Sequence, residues 1–384
     1  MRTALVLTGG GARAAYQAGA VKAIYEISES MGLKQPFQVM TGTSAGAINV
    51  AYLASHADNM KDATQNLTKL WSELKTNLIF KSDSLSLLQM ALQTFLALAT
   101  GRVLGNKKTP SLLDNSPLRV LIEREINFQN IKTNIGLGHL NSLAIEVMNY
   151  STGMSCTFFQ AASEIARWER SNRISLATEI LSDHVMASLG IPILFPPIRI
   201  GDHYFGDGSL RNYTPLSPAI KLGARKLLIV AVRGAKQAVG GDAATTPSLG
   251  RVAGLALNSV LLDAVDIDFE RLSRVNETVQ KLRPGVETPL KPIEVFMIRP
   301  TMDVGSLAEK EVHAIPWGLR YLLRGLGDPR ESADLISYLL FEASFTAKLA
   351  ELGYRDVMDQ ADEIRQFLGT DAILSSPQNQ KKSA

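Results

Sequence analysis

"MTGTSAGAINVAYLA", residues 40–54, decides how the rest of the chain is read. The apolar "PFQVM" before it has the length and content of a short buried strand, and "AGAINVAYLA" after it has the small, apolar character of a packed helix. Ser44 therefore sits on a strand-to-helix turn, between Gly42 and Gly46, where a Cβ would clash with the bend. Gly42-Thr43-Ser44-Ala45-Gly46 fits G-x-S-x-G, the pattern of an exposed nucleophilic serine. A pattern this short arises by chance in roughly one chain of this length in ten. By itself it is equally a tight turn with a helix-capping serine.

Working outward, strand-like runs recur at 4–8, 37–40, 143–150, 226–232 and 293–298, with helical stretches between them. That alternation predicts an α/β layer structure with a mostly parallel central sheet flanked by helices. "NYSTGMSCTFF" predicts a hairpin turning at Thr152-Gly153, and "IRIGDHYFGDG" a second turning at Gly201-Asp202. No period of 20 to 50 residues repeats, which excludes a solenoid. The Gly/Ala/Thr-rich stretch 234–250 reads as a mobile loop and the polar 375–384 as a disordered tail.

Composition narrows the function classes. With 40 Lys+Arg against 37 Asp+Glu, the charge balance gives nucleic-acid binding no support. The single cysteine, Cys156, excludes an internal disulfide framework and a cysteine-rich metal site. The opening apolar run is too short for a signal peptide, so a cytoplasmic protein is the default expectation, with export by another route left open. Between Asp83 and Arg102 lie 18 uncharged residues, "SLSLLQMALQTFLALATG". Their length reaches the lower limit of a membrane span, but two glutamines, two threonines and two serines dilute it. The segment is expected to form an apolar helix beside the site, as cap or lipid-contact surface, with burial in the core as the alternative.

"LTGGGARAAYQAGAVKAI" ends the first strand. Gly9-Gly10-Gly11 opens a helix there, so its amides can converge on a phosphate or on an oxyanion. A Walker loop needs Gly-Lys-Ser/Thr, and Gly11 is followed by Ala12-Arg13. A dinucleotide fingerprint needs an acid after a second strand, whereas Glu26 and Glu29 fall inside the helical pattern. Neighbouring parallel strands bring this loop and Ser44 to one carboxyl edge, where open α/β sheets hold their sites. The remaining part is a base. None of the five histidines stands in a convincing motif: His56 ends the helix after Ser44, His139 is in a loop, His184 is on a helix and His203 faces outward. Only His313 would give the chain order of an α/β-hydrolase, whose serine follows several strands rather than the second. Asp207, between Gly206 and Gly208 in "HYFGDGSLRNYTPL", is a turn residue or a carboxylate able to deprotonate serine directly.

"GGGARAAYQAGA", "GTSAGA", "ASLGIPILFPP" and "YFGDGSLRNYTPL", in that order over about residues 2–300, resemble the patatin-like phospholipase family. The resemblance implies a three-layer patatin-like α/β fold and a lipid acyl hydrolase: a phospholipase, lysophospholipase or carboxylesterase. Carried over by motif, Ser44 becomes the nucleophile, Asp207 its partner, and Gly9, Gly10 and Gly11 the oxyanion hole, with Gly42, Gly46 and Gly208 in support. Arg13 matches the basic residue that follows the loop and is expected to support an anionic intermediate or a headgroup. Two positions depart from the family pattern, Ser209 and Ala14, both small. No metal or cofactor is expected. The expected partner is a lipid substrate met at a membrane surface. The implied organisation is a catalytic unit at 1–300 with a helical cap insertion at about 58–128, a helical extension at 301–370, and a disordered tail at 371–384. A serine acyltransferase, which partners its serine with histidine, and a non-catalytic lipid-binding protein are the alternatives.

Overall fold

The computed structural model describes residues 1–83, 111–234, 246, 248–283, 286, 288–324 and 332–374. Five apolar runs form a parallel core sheet in the order β10 (Glu294–Ile298), β9 (Lys226–Val230), β1 (Thr3–Leu7), β2 (Val39–Thr43) and β3 (Ser142–Asn149). Alternate residues of β1 serve opposite faces: Leu5 and Leu7 belong to one apolar core, Ala4 and Val6 to the other. With both faces covered, these strands need no polar side, which is why they read as continuous apolar runs. Beyond β3 the sheet turns antiparallel. β4 (Ser155–Ala161) returns along β3 through the turn at Gly153, whose φ of 69° suits glycine. The short β6 (Arg173–Ala177) then pairs parallel to β4 and the two-residue β5 (Glu169–Arg170) closes that edge.

The register around β3 positions the site. β2 follows β3 as far as Thr43, opposite Glu146, and leaves the sheet at Ser44. The rungs of β3 that β2 vacates are taken by β8 (His203–Asp207), running antiparallel, with Asp207 opposite Val147. β7 (Ile198–Ile200) feeds β8 through the two-residue turn Gly201-Asp202. Thr43 and Asp207, distant in sequence, thus stop on successive rungs of β3, with Ser44 the next residue after Thr43. β1 ends level with β2, Leu7 facing Gly42, so the glycine loop emerges beside Ser44.

Helices α1 (Ala15–Ser30) and α2 (Ala45–Ser55) cover one face and are buried almost all round. A second helical layer, α3 (Met60–Ser72) and the helix Ala343–Met358, packs outside α1. The described residues after 300 are mostly helical and share this core: Leu335, Ile336, Phe345, Leu349 and Leu352 are buried in it together with Leu5 and Ile24. The last helix, Ala361–Leu374, runs past 371, where a tail was expected to begin; buried Ile364, Phe367 and Leu368 hold one side of it on the core. Similarly, the loop expected over 234–250 ends in a helix at Leu249, capped by the Ser248 hydroxyl that accepts from Arg251 N at 3.2 Å. The apolar segment 84–101, most of 234–250 and the tail 375–384 lie outside the described residues. Among the described residues no helix is long and apolar enough to cross a membrane.

Candidate active site

Ser44 has φ 53° and ψ −131°, a conformation that costs a non-glycine residue of order 1–3 kcal/mol and is held only where its surroundings demand it. Here they do. The peptide N–H of Ser44 donates to Ser188 Oγ at 2.8 Å, and that hydroxyl donates to the Glu146 carbonyl at 2.6 Å, pinning the turn to β3. Gly46 lets the first turn of α2 lie against the end of β1, since a Cβ there would stand 2.3 Å from Leu7 O. Gly42 is equally confined, 2.5 Å from Val50 Cγ2 by the same measure.

Asp207 ends β8 fully buried and caps the following turn, its Oδ1 accepting from Ser209 N at 2.9 Å. Its own N–H donates to Gly190 O at 3.0 Å. Gly208 allows the turn to pass over β3, 2.4 Å from Glu146 O if a Cβ were present. Burial pushes the Asp207 carboxyl up to about 6, opposed in part by the Ser44 hydroxyl and by Ser209. No hydrogen bond of good geometry closes between the pair: Ser44 Oγ and Asp207 Oδ2 are both buried side-chain oxygens without a partner. Such bonds are often open in the free enzyme and tighten around substrate.

The glycine loop completes the group. Gly9 fits between Ser44 and Ser209, with a Cβ there only 2.9 Å from Ser44 Cβ and 2.8 Å from Ser209 Oγ. Gly10 abuts Val232, and Gly11, at φ 56°, abuts the carbonyl of Tyr338. Ser44 opens into a cavity walled by apolar side chains, among them Ile48, Trp71, Leu121, Leu189 and Phe341. The sequence matches the family model Patatin-like phospholipase over residues 5–220, more than half of the chain. The chain belongs to the patatin-like phospholipase family.

No curated protein matches the sequence significantly. Among solved structures, the chain is similar to human GIVD cytosolic phospholipase A2, at 10% identity and a TM-score of 0.48 over 96% of this chain and 60% of that one. VipD from Legionella pneumophila matches at 11% identity and a TM-score of 0.35, over 94% and 67%. ExoU of Pseudomonas aeruginosa matches at 14% and 0.30, over 100% and 66%. The chain spans about two thirds or less of the length of each.

One expected member of the site lies elsewhere in this patatin-like chain. Arg13 is buried and turned toward the helix Ala333–Leu339: Nε donates to Ser337 Oγ at 2.7 Å, Nη2 to Asp334 Oδ1 at 2.8 Å, and the guanidinium lies 4.3 Å over the Tyr338 ring. With its charge engaged by Asp334, it is not directed at an anion beside Ser44; it ties the glycine loop to the C-terminal helices. Neither is a histidine joined to the pair. His56 contacts Tyr52 O at 2.9 Å, and His184 Nδ1 accepts from Leu181 N at 2.9 Å. His203 and His313 are exposed, and His139 is in the loop before β3. Two residues that motif reading left without a role emerge instead. Ser188, inside "ASLGIPILFPP", holds the Ser44 turn; Tyr338, far outside the family match, backs the glycine loop. Glu146 is a third buried acid nearby, its carboxyl raised to about 8 by burial against a weaker Thr157 hydrogen bond.

Proposed function

We propose that this protein is a serine hydrolase of fatty-acyl esters working through Ser44 and Asp207. The observation that carries the reading is that Ser44 Oγ and Asp207 Oδ2 are both buried and unpartnered, with Ser44 lining an apolar cavity and its hydroxyl near enough to oppose the upward shift of the Asp207 carboxyl. A buried polar group without a partner costs free energy, so a site that keeps two of them side by side is suited to an incoming reactant. In the first step Ser44 Oγ attacks the ester carbonyl while Asp207 Oδ2 takes its proton. The amides of Gly9–Gly11 face the developing oxyanion, and the acyl chain occupies the cavity. The alkoxide leaves with the proton from Asp207. Water, deprotonated by Asp207, then attacks the acyl-enzyme and releases the fatty acid and Ser44. Such a substrate is met at a membrane surface, and the enzyme acts there as a peripheral protein.

A fluorophosphonate probe tests the nucleophile. Wild-type protein labels, Ser44→Ala does not, and the substrate's acyl group appears as free fatty acid rather than on an acceptor alcohol. Labelling that persists in Ser44→Ala removes this reading, and transfer to an acceptor would make the protein an acyltransferase. The pH profile is a second check. Because Asp207 must be ionised to accept the proton and its carboxyl stands near 6, kcat/KM should rise about tenfold per pH unit below 6 and level off above it. A flat profile between pH 4.5 and 7 would exclude Asp207 as the base.

A further inference from the structure

Among the described residues, two that are not glycine hold a positive φ: Ser44 at 53° and Ile193 at 69°. For the nucleophile the strain has a purpose. For Ile193 the packing supplies none. A β-branched side chain is among the least suited to this conformation, which glycine adopts freely. Ile193 is also 71% exposed, so its side chain gains little from the core in return. Strained backbone of this kind persists where it serves a site. Ile191 and Phe195, on either side of it, are buried and line the Ser44 cavity. The turn 191–195 is therefore a wall of that cavity, with Ile191 and Phe195 on its inner side and Ile193 on its outer side.

The outer side of this turn suits an apolar surroundings. No charged residue occurs from 185 to 198, and Pro192, Pro196 and Pro197 have no N–H to leave unpaired. Three of its carbonyls are engaged within the protein: Phe195 N donates to Ile191 O at 2.9 Å, Leu112 N to Ile193 O at 2.7 Å and Leu113 N to Leu194 O at 2.9 Å. A segment that enters hydrocarbon needs its polar backbone groups satisfied internally in this way. The same features disfavour a protein strand as occupant, because an added strand pairs with free N–H and C=O groups. We infer that Ile193 is a lipid anchor: the turn 191–195 rests in the surface of a bilayer and sets the Ser44 cavity against the layer that holds its substrate. The inference rests on the hydrolase reading for the presence of a lipid surface. With no charge on the turn the contact is apolar, so a zwitterionic bilayer suffices and added salt does not release it.

The test uses the full chain with phosphatidylcholine vesicles, a long-chain fatty-acyl ester carried in them, and a soluble short-chain ester. Wild type is expected to sediment with the vesicles, at high salt as at low. Ile193→Gly removes the apolar tip and relieves the positive φ, so it should melt no lower than wild type. It should bind vesicles about fivefold or more weakly, the scale of one lost aliphatic side chain, and lose a similar factor in kcat/KM on the vesicle-borne ester. Its rate on the soluble ester should be unchanged. Ile193→Leu keeps an apolar tip and should keep vesicle binding. Undiminished vesicle binding by Ile193→Gly, an equal loss on both esters, or no binding by wild type each overturn the anchor while leaving the hydrolase standing. A dimer in solution that Ile193→Gly dissolves would overturn it too, placing a second copy of the chain on the turn. Hydrolysis of neither ester by wild type removes the hydrolase reading, whereas vesicle binding, which needs no catalysis, still judges the anchor.

Discussion

Ser44→Ala and Asp207→Asn should each lower kcat on a soluble short-chain ester by roughly 10⁴-fold or more, and the double variant should be no slower than the worse single one. Groups that act in one proton transfer are lost together: without the nucleophile the base has nothing to activate. Asparagine is the informative replacement at 207. Its side-chain oxygen can still accept from Ser209 N, as Asp207 Oδ1 does at 2.9 Å, and it fills the same buried space. It cannot take a proton. The same substitution carries a stability signature. The folded-state carboxyl stands near 6, above the ordinary value, so the folded protein holds this proton more tightly than the unfolded chain does. Stability therefore falls as pH rises from about 4 through 6, by up to about 3 kcal/mol, and Asp207→Asn removes that fall. An inactive Asp207→Asn variant that melts higher than wild type at pH 8, but not at pH 4, fits a buried base. Losses that simply multiply in the double variant, or an Asp207→Asn variant keeping more than a hundredth of the rate, would show that the two side chains do not work as a unit.

The parts of this site readable from sequence are those governed by local backbone rules. A serine between glycines at a strand-to-helix junction, a glycine run ending a strand, and a two-residue turn at Gly201-Asp202 leave local signatures because sterics act over a few residues. The mostly parallel character of the core sheet, though not its strand order, followed from apolar runs separated by helices. What sequence could not give was adjacency. Asp207 meets Ser44 only because β8 occupies the rungs of β3 that β2 leaves free, a matter of register between segments far apart in the chain. The direction of Arg13 failed for the same reason: its position after the glycine loop was legible, but Asp334 and Ser337, which capture it, are more than 300 residues away. Ser188 was in view within a quoted motif, yet its hydrogen bond to Ser44 N carries no periodicity or spacing by which to find it. The strand β6, beside the edge strand β5, was missed as well, being short and only partly buried.

The C-terminal helices should prove indispensable, and two glycines decide it. α1 and the helix Ala343–Met358 approach so closely that a Cβ on Gly19 would stand 1.7 Å from Ala350 O, and one on Gly353 would stand 2.0 Å from Tyr16 O. Both obstacles are backbone carbonyls, which cannot rotate aside as a side chain can. Gly19→Leu or Gly353→Leu must therefore push the helices apart, opening the packing of Phe345, Leu349 and Leu352 and straining the Tyr16–Asp356 hydrogen bond of 3.0 Å. Overpacking of this kind costs roughly 3 kcal/mol or more where the neighbours cannot yield. The displacement also reaches the site. The helix Ala333–Leu339 leads directly into Ala343–Met358, and its Tyr338 carbonyl is the wall against which Gly11 is shaped. Each variant should then melt well below wild type and lose ester hydrolysis at temperatures where the remaining protein is still helical. Gly136→Ala is the control: a Cβ there meets nothing within 4 Å, so it should change neither property. Were Gly19→Leu to melt within a degree or two of wild type with its activity intact, the close helix crossing would not be what holds the glycine loop in place.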